Sequence, residues 1–195
     1  MQVVAGLGNC VRAIGRFGRR ARRDEAGTTA IEFAFVIGPF LGLLFAIIEV
    51  AFVYFGQVSL DVGTATASRQ LFVGAAQTKN MSAEDFKQIV CSNLAPFMTC
   101  GNVIVDVRSS DTFTDAANNL PKAVTSDGRL SDGFWQFNPG GASKVVVVTV
   151  YYDFTLLSSL PGLGDFTGKV GLGLGNLADG SRLMQTSMAF RTEPY

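Results

Sequence analysis

The chain of 195 residues contains no histidine. That removes the commonest general base and the commonest zinc ligand, and it narrows the enzymes that remain to those using other groups. Cysteine is scarce, with Cys10, Cys91 and Cys100 alone. Charge is thin at 16% and uneven in sign, although the formal net charge is zero. Six of the sixteen basic residues (Arg12, Arg16, Arg19, Arg20, Arg22 and Arg23) fall within residues 1–27, against only Asp24 and Glu25. The remainder holds 10 basic and 14 acidic residues. From residue 33 to residue 48 charge is missing altogether. A basic start reads as a solvated tail, a nucleic-acid arm or the cytoplasmic flank of a membrane segment. The apolar stretch that follows at once favours the flank, so no nucleic-acid partner is expected.

Sixteen residues of helix rise about 24 Å, a little short of a hydrocarbon core of about 30 Å. Ala30 and Ile31 before the stretch, and the apolar residues from Val50 to Phe55 after it, complete a span over residues 30–55. Glu32 and Glu49 lie near its two ends, where lipid tolerates a carboxylate better than at the midplane. A buried core helix is the competing reading, disfavoured by the arginine flank and by the length. The positive-inside rule then places residues 1–29 in the cytoplasm and everything after about Phe55 on the exported side. Ala65-Thr66-Ala67 has the small-x-small form of a signal-peptidase site. The apolar stretch is too long for a signal peptide, however, and Ala67 lies well past its end. Pro39 removes one backbone bond from the span, a loss that a membrane helix can absorb locally. Gly38, Gly42 and Gly56 offer small surfaces for close helix contact.

The join between the arginine tail and the span reads Arg22-Arg23-Asp24-Glu25-Ala26-Gly27-Thr28-Thr29-Ala30-Ile31-Glu32-Phe33. A basic leader ends in glycine, four uncharged residues follow, then a glutamate, an aromatic and the apolar helix. This resembles the processing site of a type IV prepilin. More specifically, Gly-x-x-Ala-x-Glu-Phe-Ala is similar to the start of TadE-like minor pseudopilins of the tight-adherence (Flp pilus) secretion machinery. The closing Phe190-Arg191-Thr192-Glu193-Pro194 also resembles the Arg-x-Glu-Pro ending common in that family. The resemblance is strong over residues 22–55 and loose over the exported part. It implies cleavage between Gly27 and Thr28 by a membrane-embedded aspartic prepilin peptidase, and glycine there lets a protease approach the carbonyl closely. It implies that Glu32, beside Phe33, pairs in assembly with the terminal amine of a neighbouring subunit. The implied partners are the inner membrane, the prepilin peptidase, other pilins and pseudopilins, and pilus-assembly platform proteins. Asp24 and Glu25 depart from the pattern, since major prepilins often carry a basic residue directly before the glycine. An uncut anchor, with Gly27 a flexible joint, therefore stays open.

Val58, Val62, Ala65 and Phe72 recur at helical spacing, so the helix is expected to leave the membrane intact and run to about Gly74. Ser82, with Asp85 three residues on, predicts a capped helix over residues 83–94. Residues 102–108 read as a strand and 182–192 as the last strand. The apolar run of residues 144–157 predicts a central strand covered on both faces. Residues 109–143 are polar and predict a long loop. Its one apolar patch, residues 134–137, is expected to pack down on the domain rather than to bind a ligand. The expected organisation is a basic cytoplasmic leader (1–27), a long helix (28–76) and an exported α+β domain (77–195), with an antiparallel sheet on the helix.

Cys91 and Cys100 both fall on the exported side, where disulfides persist, with Pro96 between them to turn the chain; a bridge is expected there. Two thiols without histidine make an incomplete zinc site. Gly173-Leu174-Gly175-Asn176-Leu177-Ala178 fits Gly-x-Gly-x-x-Ala but lacks the strand–turn–helix setting of a dinucleotide site. Asp106, Asp111, Asp115 and Asp127 lack calcium-loop spacing. No catalytic residue, cofactor or metal site is predicted. The readings in competition are a minor pseudopilin assembling through its helix, an uncleaved membrane-anchored scaffold of the same system, and, last, a membrane-tethered extracytoplasmic enzyme.

Overall fold

The computed structural model describes residues 25–131, 133, 135–155 and 174–194, with side chains from residue 29 onward. The chain falls into two compact units, Met1–Ile47 and Ile48–Tyr195. Helix α1, Glu25–Phe72, contributes to both and has Pro39 in its interior.

In the first unit the large side chains of α1 are exposed: Ile31, Phe33, Phe35, Val36, Phe40, Leu43 and Phe45 among them. Water would not tolerate such a surface on an isolated helix. Lipid or other helices would. This is the one helix among the described residues that is long and apolar enough to cross a membrane.

The second unit is an α+β domain built on the carboxyl-terminal part of α1. After α1 come short helix α2 (Ala75–Thr78), helix α3 (Ala83–Cys91), strand β1 (Val103–Ser110), helix α4 (Phe113–Asn118), strand β2 (Val145–Phe154) and strand β3 (Arg182–Arg191). The strands form one antiparallel sheet in the order β1-β2-β3. Val105 faces Val150 across the first pair, and Val148 faces Met188 across the second. Every residue of β2 from Val145 to Tyr152 is buried, as its continuous apolar run predicts. Val146, Val148, Val150 and Tyr152 join Leu60, Ala67, Leu71, Phe86 and Val90 of the helices in one core. On the opposite face of the sheet, Val145 and Val147 pack under Ala116 of α4.

The helix predicted from Val58, Val62, Ala65 and Phe72 runs to Phe72, and those residues lie on its outer face. Val58, Val62 and Phe72 are 40%, 51% and 38% exposed, whereas Leu60, Thr64, Ala67 and Leu71 are buried. Two glycines on the inward face let the neighbours of α1 approach closely. A Cβ added to Gly63 would lie 2.8 Å from the Val90 carbonyl oxygen, and one added to Gly56 would lie 3.3 Å from the Met184 methyl.

Helix α3 opens as expected. Ser82 accepts from the Asp85 N–H, and the Asp85 carboxylate accepts from the Ser82 N–H, a reciprocal capping box. The Ser82 hydroxyl, donating to the same carboxylate at 2.7 Å, and then the Ser82 N–H hold the Asp85 carboxyl below its usual range. The helix ends at Cys91, three residues before the expected limit, and the chain then turns toward Pro96. Strand β1 continues two residues beyond its expected end. The polar stretch 109–143 is more ordered than its composition suggests. Thr112 accepts from the Asp115 N–H and starts α4, and Ala116 supplies that helix with its one buried contact. Thr112-Phe113-Thr114-Asp115 carries the Thr-x-x-Asp signal of such a cap in the sequence itself.

Candidate functional site

Residues that the sequence marks for assembly lie on α1. Gly27 and Thr28 are within the helix, which begins two residues before Gly27. Glu32 and Phe33 follow one turn later, both exposed. Glu49, toward the other end of the apolar segment, is buried at 4% exposure.

Cys91 and Cys100 are joined by a disulfide, with their Cα atoms 5.4 Å apart. The bridge closes the loop 92–99 between α3 and the 3-10 turn Cys100–Asn102. Ala95 and Met98 of that loop are buried in the core, and the Thr99 N–H donates to the Tyr152 hydroxyl at 2.9 Å. Cys10 lies outside the described residues.

The closing residues form a clasp. Thr192 is 2% exposed; its hydroxyl donates to the Gly141 carbonyl at 2.8 Å and accepts from the Lys144 N–H at 3.0 Å. The Glu193 N–H donates to the Phe72 carbonyl at 3.0 Å, satisfying one of the carbonyls that the end of α1 leaves without an intrahelical partner. Phe72 and Phe190 meet edge-to-face, 6.0 Å between ring centres. The ending that resembles the family's thus ties the last strand to the end of the long helix.

Asp106, Asp111, Asp115 and Asp127 each have a protein partner. Asp106, 1% exposed, receives Arg108 Nε at 2.8 Å and the Gln136 N–H at 2.9 Å, which fixes the long connection onto β1. Arg108 reaches on to the Asn119 carbonyl at 2.9 Å. Asp111 pairs with Lys144, Asp115 receives the Thr112 hydroxyl, and Asp127 lies 3.8 Å from Arg129. Among the described residues no group of three or more His, Cys, Asp or Glu is placed to hold a metal. Burial first, then the Asp106 carboxylate, pushes the Tyr151 phenol above its ordinary value.

Of the apolar patch 134–137, Phe134 lies outside the described residues. Trp135 is half-buried against Tyr151, 5.1 Å between rings, and Phe137 packs on Phe86 at 5.9 Å. The largely apolar groove beside α4, about 420 Å³, is lined by Phe113, Leu120, Tyr151 and Met188 among others, and holds no nucleophile–base pair. Gly173 lies outside the described residues. Leu174 to Ala178 is irregular and leads into β3, where a dinucleotide loop would lead into a helix.

Residues 27–69 match the family model described as TadE-like protein. No curated protein and no solved structure matches the chain. The matched segment opens at Gly27 and takes in both the exposed apolar part of α1 and the small-residue face, Gly56 to Ala67, that carries the sheet. Gly63 and Thr192 are the residues that sequence reasoning missed. The first left a signal, since Gly56, Gly63 and Ala67 recur along one side of a helix. Over residues 27–69, then, the chain is similar to TadE-like proteins.

Proposed function

We propose that the chain is a minor pseudopilin, a structural component of a tight-adherence (Flp) pilus assembly and secretion machine. TadE-like proteins are structural components of that machinery, and the match to their family model is the observation that carries the reading. In this reading α1 anchors the chain once in the bacterial inner membrane, with the leader 1–27 in the cytoplasm and the domain exported. Prepilin peptidase cuts between Gly27 and Thr28. Thr28 becomes the amino terminus, and Glu32, one turn on, pairs with the terminal amine of a neighbouring subunit while Phe33 packs beside it. Support comes from the start of the family match at Gly27 and from the exposed apolar side chains that follow it. The partners are then other pilins and pseudopilins and the assembly platform. The test is mass spectrometry of the cellular protein. A mature chain beginning at Thr28, and an intact precursor for Gly27→Leu, are expected.

One observation favours a second reading, the uncleaved anchor that acts as a scaffold of the same system. Helix α1 begins at Glu25 and runs through the Gly27–Thr28 bond, so a protease must first unwind that turn. A chain beginning at Met1 in cells with active prepilin peptidase is the result that decides for it.

A further inference from the structure

The disulfide-closed loop 92–99 carries Phe97 outward while its neighbours Ala95 and Met98 point into the core. Phe97 is 38% exposed and gathers three other rings around it: Phe52 at 5.2 Å, Phe55 at 6.0 Å and Phe154 at 6.1 Å. Phe52 and Phe55, 44% and 55% exposed, are the last aromatic phenylalanines of the apolar segment 30–55. Nothing in the loop is charged, since Ser92-Asn93-Leu94-Ala95-Pro96-Phe97-Met98-Thr99 contains no Asp, Glu, Lys or Arg.

We infer that this cluster sits in the headgroup–acyl boundary of the bilayer on the exported side, with Phe97 as the domain's own membrane contact. The inference rests on the membrane-anchor reading above. Three observations carry it. The cluster is continuous with the span, because two of its rings belong to it. Val53, between them, already packs against the domain core, so the helix is claimed by the domain at that level. A helix from Ala30 to Val50 rises about 31 Å, which already fills a hydrocarbon core of about 30 Å. Phe52 and Phe55 then fall at the interface, on either side of the exposed Tyr54, a residue type that concentrates at that level, while phenylalanines insert at the headgroup–acyl boundary in surface-bound segments. The disulfide and the bond from Thr99 to Tyr152 hold the loop in place beforehand, so little ordering is left to oppose insertion.

The occupant is therefore lipid, and depth-dependent fluorescence quenching tests it. Trp135 is the chain's single tryptophan. The full chain carrying Trp135→Phe with either Phe97→Trp or Phe45→Trp is placed in vesicles of phosphatidylcholine brominated near the headgroup or near the chain ends. Bromine near the headgroup is expected to lower the Phe97→Trp emission about twofold or more, and chain-end bromine to act mainly on Phe45→Trp, as a belt at the interface and a span within the core require. The unsubstituted chain, reporting from Trp135 against Tyr151 on the sheet, is expected to be insensitive to both. Phe55→Trp, on the helix side of the same cluster, repeats the reading should Phe97→Trp disturb the loop, and is expected to follow Phe97→Trp. Quenching of Phe45→Trp with none at Phe97→Trp or Phe55→Trp overturns the inference and leaves the anchor standing; another protein subunit then covers the cluster. Absence of quenching at all three positions overturns the anchor and the inference together.

Discussion

Gly63 shows how a single missing side chain sets the packing of the domain. Its Cα faces the Val90 carbonyl so closely that a Cβ would stand 2.8 Å from the oxygen. Gly63→Ala is expected to push α1 and α3 apart and to lower stability by about 1–3 kcal/mol, the usual range for overpacking. Urea unfolding of the detergent-solubilised full chain measures it. Gly38→Ala is the control, since a Cβ there meets nothing within 4 Å and the midpoint should not fall. An equal midpoint for both variants would mean that the α1–α3 contact yields freely. Glu32 belongs to the same scale but to a different question, because it is exposed and stabilises nothing visible within one chain. Glu32→Ala is expected to be processed normally and to recover several-fold less partner pilin on co-purification, since an acid in lipid persists only with a partner. Unchanged recovery removes Glu32 from assembly.

Between elements, two ties hold the domain together. The Thr192 clasp joins the start of β2 and the end of α1, and the Cys91–Cys100 bridge joins α3 to the turn before β1. A short loop of this kind restricts the unfolded chain and contributes somewhat under about 3 kcal/mol in the loop-entropy view. Cys91→Ser with Cys100→Ser is therefore expected to lower the unfolding free energy by about that much. The measurement is denaturation of the double variant beside the oxidised protein, with thiol labelling to establish that the parent is bridged. Full labelling of both cysteines before reduction, or equal stability of the two proteins, would leave packing alone to hold the junction.

At the scale of the whole molecule, charge and hydropathy act together along the chain. Six arginines precede the apolar helix, and a domain whose acidic residues outnumber its basic ones follows it. A periplasm-active reporter fused after Tyr195 is accordingly expected to be active, and one fused within residues 1–27 inactive, by the positive-inside rule. The reverse pattern would overturn the orientation and with it the pseudopilin reading. The exposed apolar surface of the first unit asks for lipid or neighbouring helices, while the second unit buries its own core around β2.

What the sequence determined alone was whatever depends on neighbours along the chain. The apolar run of α1, the arginines before it, the capping box at Ser82 and Asp85, and the valine-rich β2 are local patterns with local causes, and each was legible. So was the TadE-like resemblance, because Gly27, Ala30, Glu32 and Phe33 lie within seven consecutive residues. Tertiary structure decided which face of α1 turns inward. Val58 and Val62 point out, while Leu60, Ala67 and Leu71 turn into the core and Gly56 and Gly63 let the sheet and α3 approach closely. It also decided that α4 forms within a polar stretch, since six residues of helix persist only when Ala116 has Val145 and Val147 to pack against. The union of Phe52 and Phe55 with Phe97 and Phe154 was hidden for the same reason: residues some forty to a hundred positions apart meet only when the sheet lies down on the helix.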